Sequence, residues 1–449
     1  MTGPLTQAAT QATQAAWGAG AVQAHAPVVG TRLAHGIGSQ HDLPLSPFYA
    51  YAGAFAALLI SFLALGLLWS TSRFRGDLSG RPLPAALQRV ADAPATRTAL
   101  RLLGAAGALV VLLHLLLGPD DPDRNPAPGA LYVLLWVGIV PTSLLLGPVW
   151  RLLNPLRALH SLHPPRTPHP LPAALGIRPA AAGLLLFTWL ELVVPDNTST
   201  ATLLVALGIH TSVQLLGAAR YGATWFAHAD PFEVYSSLLA RLSPLGRRSD
   251  GRLVIRSPFH GLDATPQTPG LVATVCVLLG STAYDGLSDN PRWITTLQTS
   301  PLGPTPTATL GLLAAVALAA SCYGLCAGAL RLVNRTVTNP LTSFAHSLLP
   351  IALGYLVAHY FSLFVTEGSR TVILAGGTDN ALAPAPPLGP GGLATLQVSA
   401  IVTGHVLGVI AAHDRSVRLF PPDRAVAGQL PLFVLMIAYT LGGIGLLIA

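Results

Sequence analysis

The chain has 449 residues, of which 51% are hydrophobic and only 10% charged, whereas soluble domains carry about 25% charged residues. So few charges cannot cover a soluble domain of this size, and lipid must do the covering. The formal charge of +7 comes entirely from arginine, without a single lysine. Those arginines lie in short loops between apolar runs, so a membrane accounts for them and nucleic acid does not.

In chain order, residues 1–46 read as an extracytoplasmic, mostly disordered tail rich in Ala, Gln and Thr. The tail has no basic stretch followed by a continuous apolar run, so it does not resemble a secretory signal. Residues 47–449 read as an integral membrane domain. Crossing the hydrocarbon takes roughly 20 apolar residues. The candidate spans are 48–69, 99–118, 130–150, 179–195, 201–219, 270–287, 307–330, 342–365, 394–413 and 430–448, the fourth being the shortest. The runs are continuous rather than alternating, which predicts an all-α transmembrane bundle and not a barrel. Arginine placement sets the orientation. With both termini outside, only Arg32, Arg124, Arg292 and Arg370 fall on the outer side. The one sizeable inner loop is 220–269, and its stretch WFAHADPFEVYSSLLARLSPLGRR predicts an amphipathic interfacial helix. Trp225, Phe226, Phe232 and Tyr235 would face lipid, and Arg241, Arg247 and Arg248 the headgroups.

Ionisable side chains within spans are expensive and by default suggest function. The spans place no acid or arginine near a midplane, but they do hold His114, His210, His346, His359 and His405. From the helical rise, His114 lies about 5 Å below the outer boundary, His359 about 10, His210 about 14 and His405 about 17. Glu191 and Asp285 lie near the outer ends of two further spans, while His346 belongs to the inner side. Imidazoles bind zinc, copper, iron or haem and relay protons. His359, His405, His210 and His114 are therefore the candidate metal ligands, with Glu191, Asp285 and His346 as cavity or supporting residues. The competing reading gives each histidine a hydrogen bond to a carbonyl or hydroxyl on a neighbouring helix. Cys322 and Cys326 share a helical face, where thiolates would suit Cu(I) or zinc, but small residues at that spacing more often let helices approach closely. His35 and His41 precede the first span, and His160, His163 and His169 form a basic, proline-rich loop that reads as an interfacial anchor.

No phosphate-cradling loop, dinucleotide fingerprint, HExxH or GxSxG motif is present. Transport driven by a nucleotide site on this chain is excluded. The phrases AHGIGSQHDLP, VWRLLNPLRALH, ADPFEVYSSLLARLSP, LLGSTAYDGLS, FAHSLLPIALGYLVAHYFSLFV and GHVLGVIAAHDR, taken together, resemble a family of bacterial multi-pass membrane proteins often labelled fenitrothion hydrolase. The resemblance runs from about residue 33 to the end. It points to His35, Asp230, Glu233, Asp285, His346, His359, His405, His413 and Asp414. Family members usually begin with a cleavable signal, from which this N-terminus departs. The resemblance implies a location in the bacterial inner membrane, and the label implies phosphotriester hydrolysis. The expected function is that of a permease or metal-handling protein with a His-lined cavity in the outer half of the membrane. The alternatives are a membrane-embedded metal-dependent hydrolase, or a haem-bearing or structural subunit. A transition metal (zinc, copper or iron) or haem would be the cofactor, and the lipid bilayer and membrane subunits the partners. The substrate is not legible in the sequence.

Overall fold

The computed structural model describes residues 47–333, 337, 339–378, 384–421 and 424–448. The N-terminal tail, with His35 and His41, lies outside the described residues. The chain is a helical bundle in which long apolar helices carry shorter helices and a minute sheet at one end. The elements in order are α1 (Pro47–Leu68), β1 (Arg81–Pro82), α2 (Ala85–Asp92), α3 (Pro94–Leu117), α4 (Ala127–Leu146), α5 (Trp150–Leu153), α6 (Pro155–His160), α7 (Arg178–Leu192), α8 (Thr200–Tyr221), α9 (Thr224–Ala229) and α10 (Pro231–Leu239). They continue with β2 (Leu245–Arg247), β3 (Leu253–Ile255), α11 (Pro258–Asp263), α12 (Leu271–Ser288), α13 (Pro291–Thr299), α14 (Pro304–Val333), α15 (Pro340–Ala375), α16 (Pro390–Leu419) and α17 (Leu430–Ile448).

Among the described residues, nine of these helices are long and apolar enough to cross a membrane. The expected span 179–195 is instead the 15-residue α7, which stops at Leu192. At 1.5 Å per residue it is about 22 Å long, short of the hydrocarbon thickness by itself. The outer faces of α3 and α8 expose leucine, valine and isoleucine, including Leu102, Leu103, Ile209 and Leu216. Apolar side chains so exposed find their partners in lipid tails. By contrast α12 and α15 are largely enclosed by protein and form the middle of the bundle. Within α4, residues Ala130–Val137 form a π-helical stretch, a local widening of the helix that recurs at functional sites.

α15 and α16 cross very closely. A Cβ built at Gly404 would lie 2.5 Å from the Pro350 carbonyl oxygen, and one at Gly354 2.6 Å from that of Ala400. Gly404 and Gly408, four residues apart, therefore form a glycine seam on one face of α16, as small residues do at membrane helix contacts.

The loops also pair with one another. β1 pairs with β3 and β3 with β2, all antiparallel, joining segment 70–98 to segment 220–269. The turn Ser72–Phe74 is caught by Asp414 at the end of α16, whose carboxylate accepts from Ser72 Oγ at 2.8 Å and from Arg73 N at 2.5 Å. Asp263 takes Arg415 and Arg418, each at 3.0 Å, and Arg256 pairs with Asp77 at 2.8 Å. His413 lies 2.8 Å from the Trp69 carbonyl and 3.1 Å from the side chain of Gln429. At the other end, Asp120 accepts from Thr200 N at 2.7 Å and Arg370 reaches Asp123 at 2.9 Å.

The stretch expected to lie on the lipid surface does not do so. It breaks into α9 and α10 at Asp230, and Phe226, Phe232 and Tyr235 are buried in the protein core. Local chemistry explains the break. Asp230 caps α10 by accepting from Glu233 N at 2.9 Å, and Pro231 occupies the first helical position. A capping Asp followed by Pro starts a new helix, since proline lacks the N–H needed to continue the old one. The arginines expected to face headgroups pair instead with carboxylates: Arg241 and Asp77 at 3.8 Å, Arg247 and Asp92 at 2.6 Å, and Arg248 with Asp250.

Candidate functional site

Two buried carboxyl groups lie near the C-terminal ends of α7 and α12. Asp285 sits on the last turn of α12 and is 1% exposed, and Glu191 sits near the end of α7 at 3%. On α15, His359 and Tyr360 both turn toward Asp285. His359 Nε2 lies 2.6 Å from Asp285 Oδ2, and the Tyr360 hydroxyl donates to the same oxygen at 2.8 Å. Consecutive helical residues diverge by about 100°, so these two flank the acid, and their rings meet edge to face at 4.7 Å. Glu191 is close enough to interact electrostatically with Asp285, Tyr360 and Tyr235. Its Oε2 is buried without a hydrogen-bond partner, as is the Tyr235 hydroxyl. Trp136, from the π-helical stretch, stacks on Tyr235 from α10 at 4.7 Å. The result is a buried polar centre with two carboxyl groups, one imidazole and two phenols, enclosed by the aromatic rings of Trp136 and Phe187.

The other expected ligands do not join it. The His114 ring donates from Nδ1 to the Val110 carbonyl at 2.9 Å, and His405 does the same to Ile401 at 2.8 Å. Each thus bonds one turn back along its own helix through Nδ1. His405 also lies edge-on to Tyr355 at 5.6 Å, and its Nε2 is buried without a partner. His210 packs edge-on against Phe232 at 5.8 Å. His346 is buried near the N-terminal end of α15, away from His359, among the backbone of Ser343 and Ala411. Of the seven site residues expected from sequence, the structure brings together Asp285, His359 and Glu191. Among the described residues, no group of three or more His, Cys, Asp or Glu side chains is arranged to hold a metal ion. Cys322 and Cys326 pack against the hydrophobic core as free thiols. Of the loop histidines, His160 meets the Phe226 ring edge-on at 5.7 Å, and His169 N bonds the Arg220 carbonyl.

Sequence reasoning passed over Tyr360 and Trp136 and assigned Tyr235 to lipid. The adjacency of Tyr360 to His359 was the available signal. The π-helical offset that turns Trp136 inward leaves no mark in composition.

A second buried cluster joins α6 and α10. Asn154 caps α6, accepting from Leu156 N and Arg157 N, and donates from Nδ2 to Asp230 Oδ2 at 2.8 Å. Arg157 holds Glu233 through two parallel bonds, Nε to Oε2 at 3.0 Å and Nη2 to Oε1 at 2.7 Å. Burial pushes the Asp230 carboxyl up to about 6, against the hydrogen bonds from Glu233 N and Asn154 that pull it down. The Glu233 carboxyl is likewise raised by burial, and Arg157 opposes this.

Comparison of the chain with protein-family models, with curated proteins and with solved structures returned no match.

Proposed function

We propose that this chain is a ten-crossing permease of the bacterial inner membrane, with both termini outside, and that its transport cycle is coupled to proton exchange at Asp285, His359, Tyr360 and Glu191. The observation that carries the reading is an enclosed carboxyl, Asp285, bonded by His359 and Tyr360, with a second buried carboxyl, Glu191, near enough to feel its charge and its Oε2 left without a donor. Acid and histidine chains buried in membrane helices mark proton pathways, because no other side chains exchange charge so readily near neutral pH. The site is enclosed, which suits the smallest of cargoes or couplers, a proton.

The pairing of the loops supports the crossing number. Segments 70–98, 151–178, 220–269 and 414–429, which the arginine pattern places inside, bond to one another. The segments around 120–123, 200 and 370, which it places outside, do the same. A crossing by α7, despite its length, is the arrangement that accommodates both sets.

The metal-handling reading has less support, because the histidines expected to share an ion make separate contacts on different helices. The hydrolase reading requires three ligands and an open position for water, a set that the described side chains do not supply.

The test is a pH jump on purified protein reconstituted into liposomes on a solid support. The wild type should give a transient current of proton binding, and Asp285→Asn combined with Glu191→Gln should reduce it at least tenfold. An unchanged transient in the double variant, with the protein still folded, would sink the proposal.

A further inference from the structure

A pocket of about 290 Å³ opens near the base of α3, lined by Arg101, Arg157, His160, Ser161, Gly222 and Ala223 with three prolines. Its walls are built rather than incidental. α3 comes close enough to α5 that a Cβ at Gly104 would collide with the Leu153 carbonyl, which holds Arg101, one turn earlier, against α6. Across the pocket, the bond from His169 N to the Arg220 carbonyl at 2.9 Å ties the proline-rich segment to the end of α8. Arg157 is pinned from behind by Glu233 through Nε and Nη2, so its Nη1 is not engaged by that pair.

The charged side chains lining the pocket are all basic, with Arg157 balanced from behind by Glu233. No lining residue is acidic, and Arg101 has no carboxylate partner among the described residues. Two guanidinium groups and an imidazole around a hydroxyl form a set that recognises a phosphate. The surroundings identify what carries the phosphate. α3 and α8 pack together, and both expose apolar faces, Leu102 and Leu103 on one, Val213 and Leu216 on the other. Acyl chains lying along those faces would put a headgroup at the level of Arg101. Basic pockets between membrane helices bind anionic headgroups in this way.

We propose that the Arg101–Arg157–His160 pocket is a binding site for the phosphate headgroup of an anionic phospholipid.

The experiment is native mass spectrometry of the full chain in mild detergent, with phosphatidylglycerol and phosphatidylcholine of matched acyl chains as probes. The wild type should retain phosphatidylglycerol in preference to phosphatidylcholine. Arg101→Gln should weaken that retention about fivefold, the effect of one arginine near a charged headgroup. Arg101→Lys should keep most of it, and Arg89→Gln, an exposed site elsewhere, should keep all of it. Ala223→Trp fills the pocket without altering charge and should also release the lipid; together with an unchanged melting temperature, this separates loss of the site from loss of the fold. Equal retention of the two lipids by the wild type, or unchanged retention in both Arg101→Gln and Ala223→Trp, would overturn the proposal. Full displacement of the lipid by millimolar inorganic phosphate would overturn the lipid assignment in favour of a free anion.

Discussion

At the residue scale, the chain places its charges by pairing caps with carboxylates. Asn154 and Asp230 each begin a helix and then bond to each other, so the stretches around Pro155 and Pro231, far apart in sequence, meet through the residues that start them. The consequence for pH follows from Asp230, whose native carboxyl titrates at about 6 against about 3.9 in an unfolded chain. Between those values the native state holds more protons than the unfolded one. The contribution to stability is therefore fully present below about pH 4 and lost as pH rises through 6, with an upper bound of about 3 kcal/mol. Melting of purified protein at stepwise pH should show this slope superimposed on the rest, and Asp230→Asn should remove it. Identical pH dependence in the variant would mean that Asp230 does not titrate in that range. Of the four site residues in the proposed proton centre, Glu191, Asp285 and His359 were legible as ionisable groups within apolar runs. Tyr360 was not, since a phenol in a span has an ordinary packing explanation until a carboxylate is found beside it.

At the scale of elements, the apolar runs were legible because apolar length acts locally, whereas some ends were not: α15 continues to Ala375 and α16 to Leu419, past the expected 365 and 413. Among the described residues, each of the nine long apolar helices begins within five residues of its expected start, and α7 begins at Arg178, one residue from expectation. The re-entry of α9 and α10 into the core was not legible. The same aromatic residues satisfy either lipid or protein, and the choice depends on whether a buried surface is waiting, which here is supplied by Trp136 and Phe187. The α15–α16 seam is a further element-scale feature with a testable cost. Gly404→Val would force its side chain into the Pro350 carbonyl, and overpacking of this kind destabilises by about 1–3 kcal/mol or more. Its melting temperature should fall well below that of Gly442→Val, where a Cβ meets nothing within 4 Å. Equal melting of the two variants would mean that the seam is not tight.

At the scale of the whole molecule, the crossing number decides which loops share a compartment. In a background with Cys276, Cys322 and Cys326 replaced by serine, single cysteines at His163, Ser249 and Gln298 report it. A membrane-impermeant maleimide added to intact cells should label Gln298→Cys, and should reach His163→Cys and Ser249→Cys only after permeabilisation. Opposite sidedness at residues 163 and 249 would show that α7 turns back without crossing, leaving nine spans.

What the sequence alone determined is the class of solvent and the helical architecture. Hydrophobic length, the scarcity of charge and the bias of arginine are sums over many residues, and no rearrangement of neighbours reverses them. What only the tertiary structure decided is which ionisable groups meet. A histidine can bond its own helix one turn back, as His114 and His405 do, or reach a carboxylate on another, as His359 does. The difference lies in helix rotation and in the glycine contacts that set helix spacing, and both are settled by packing between segments far apart in the chain.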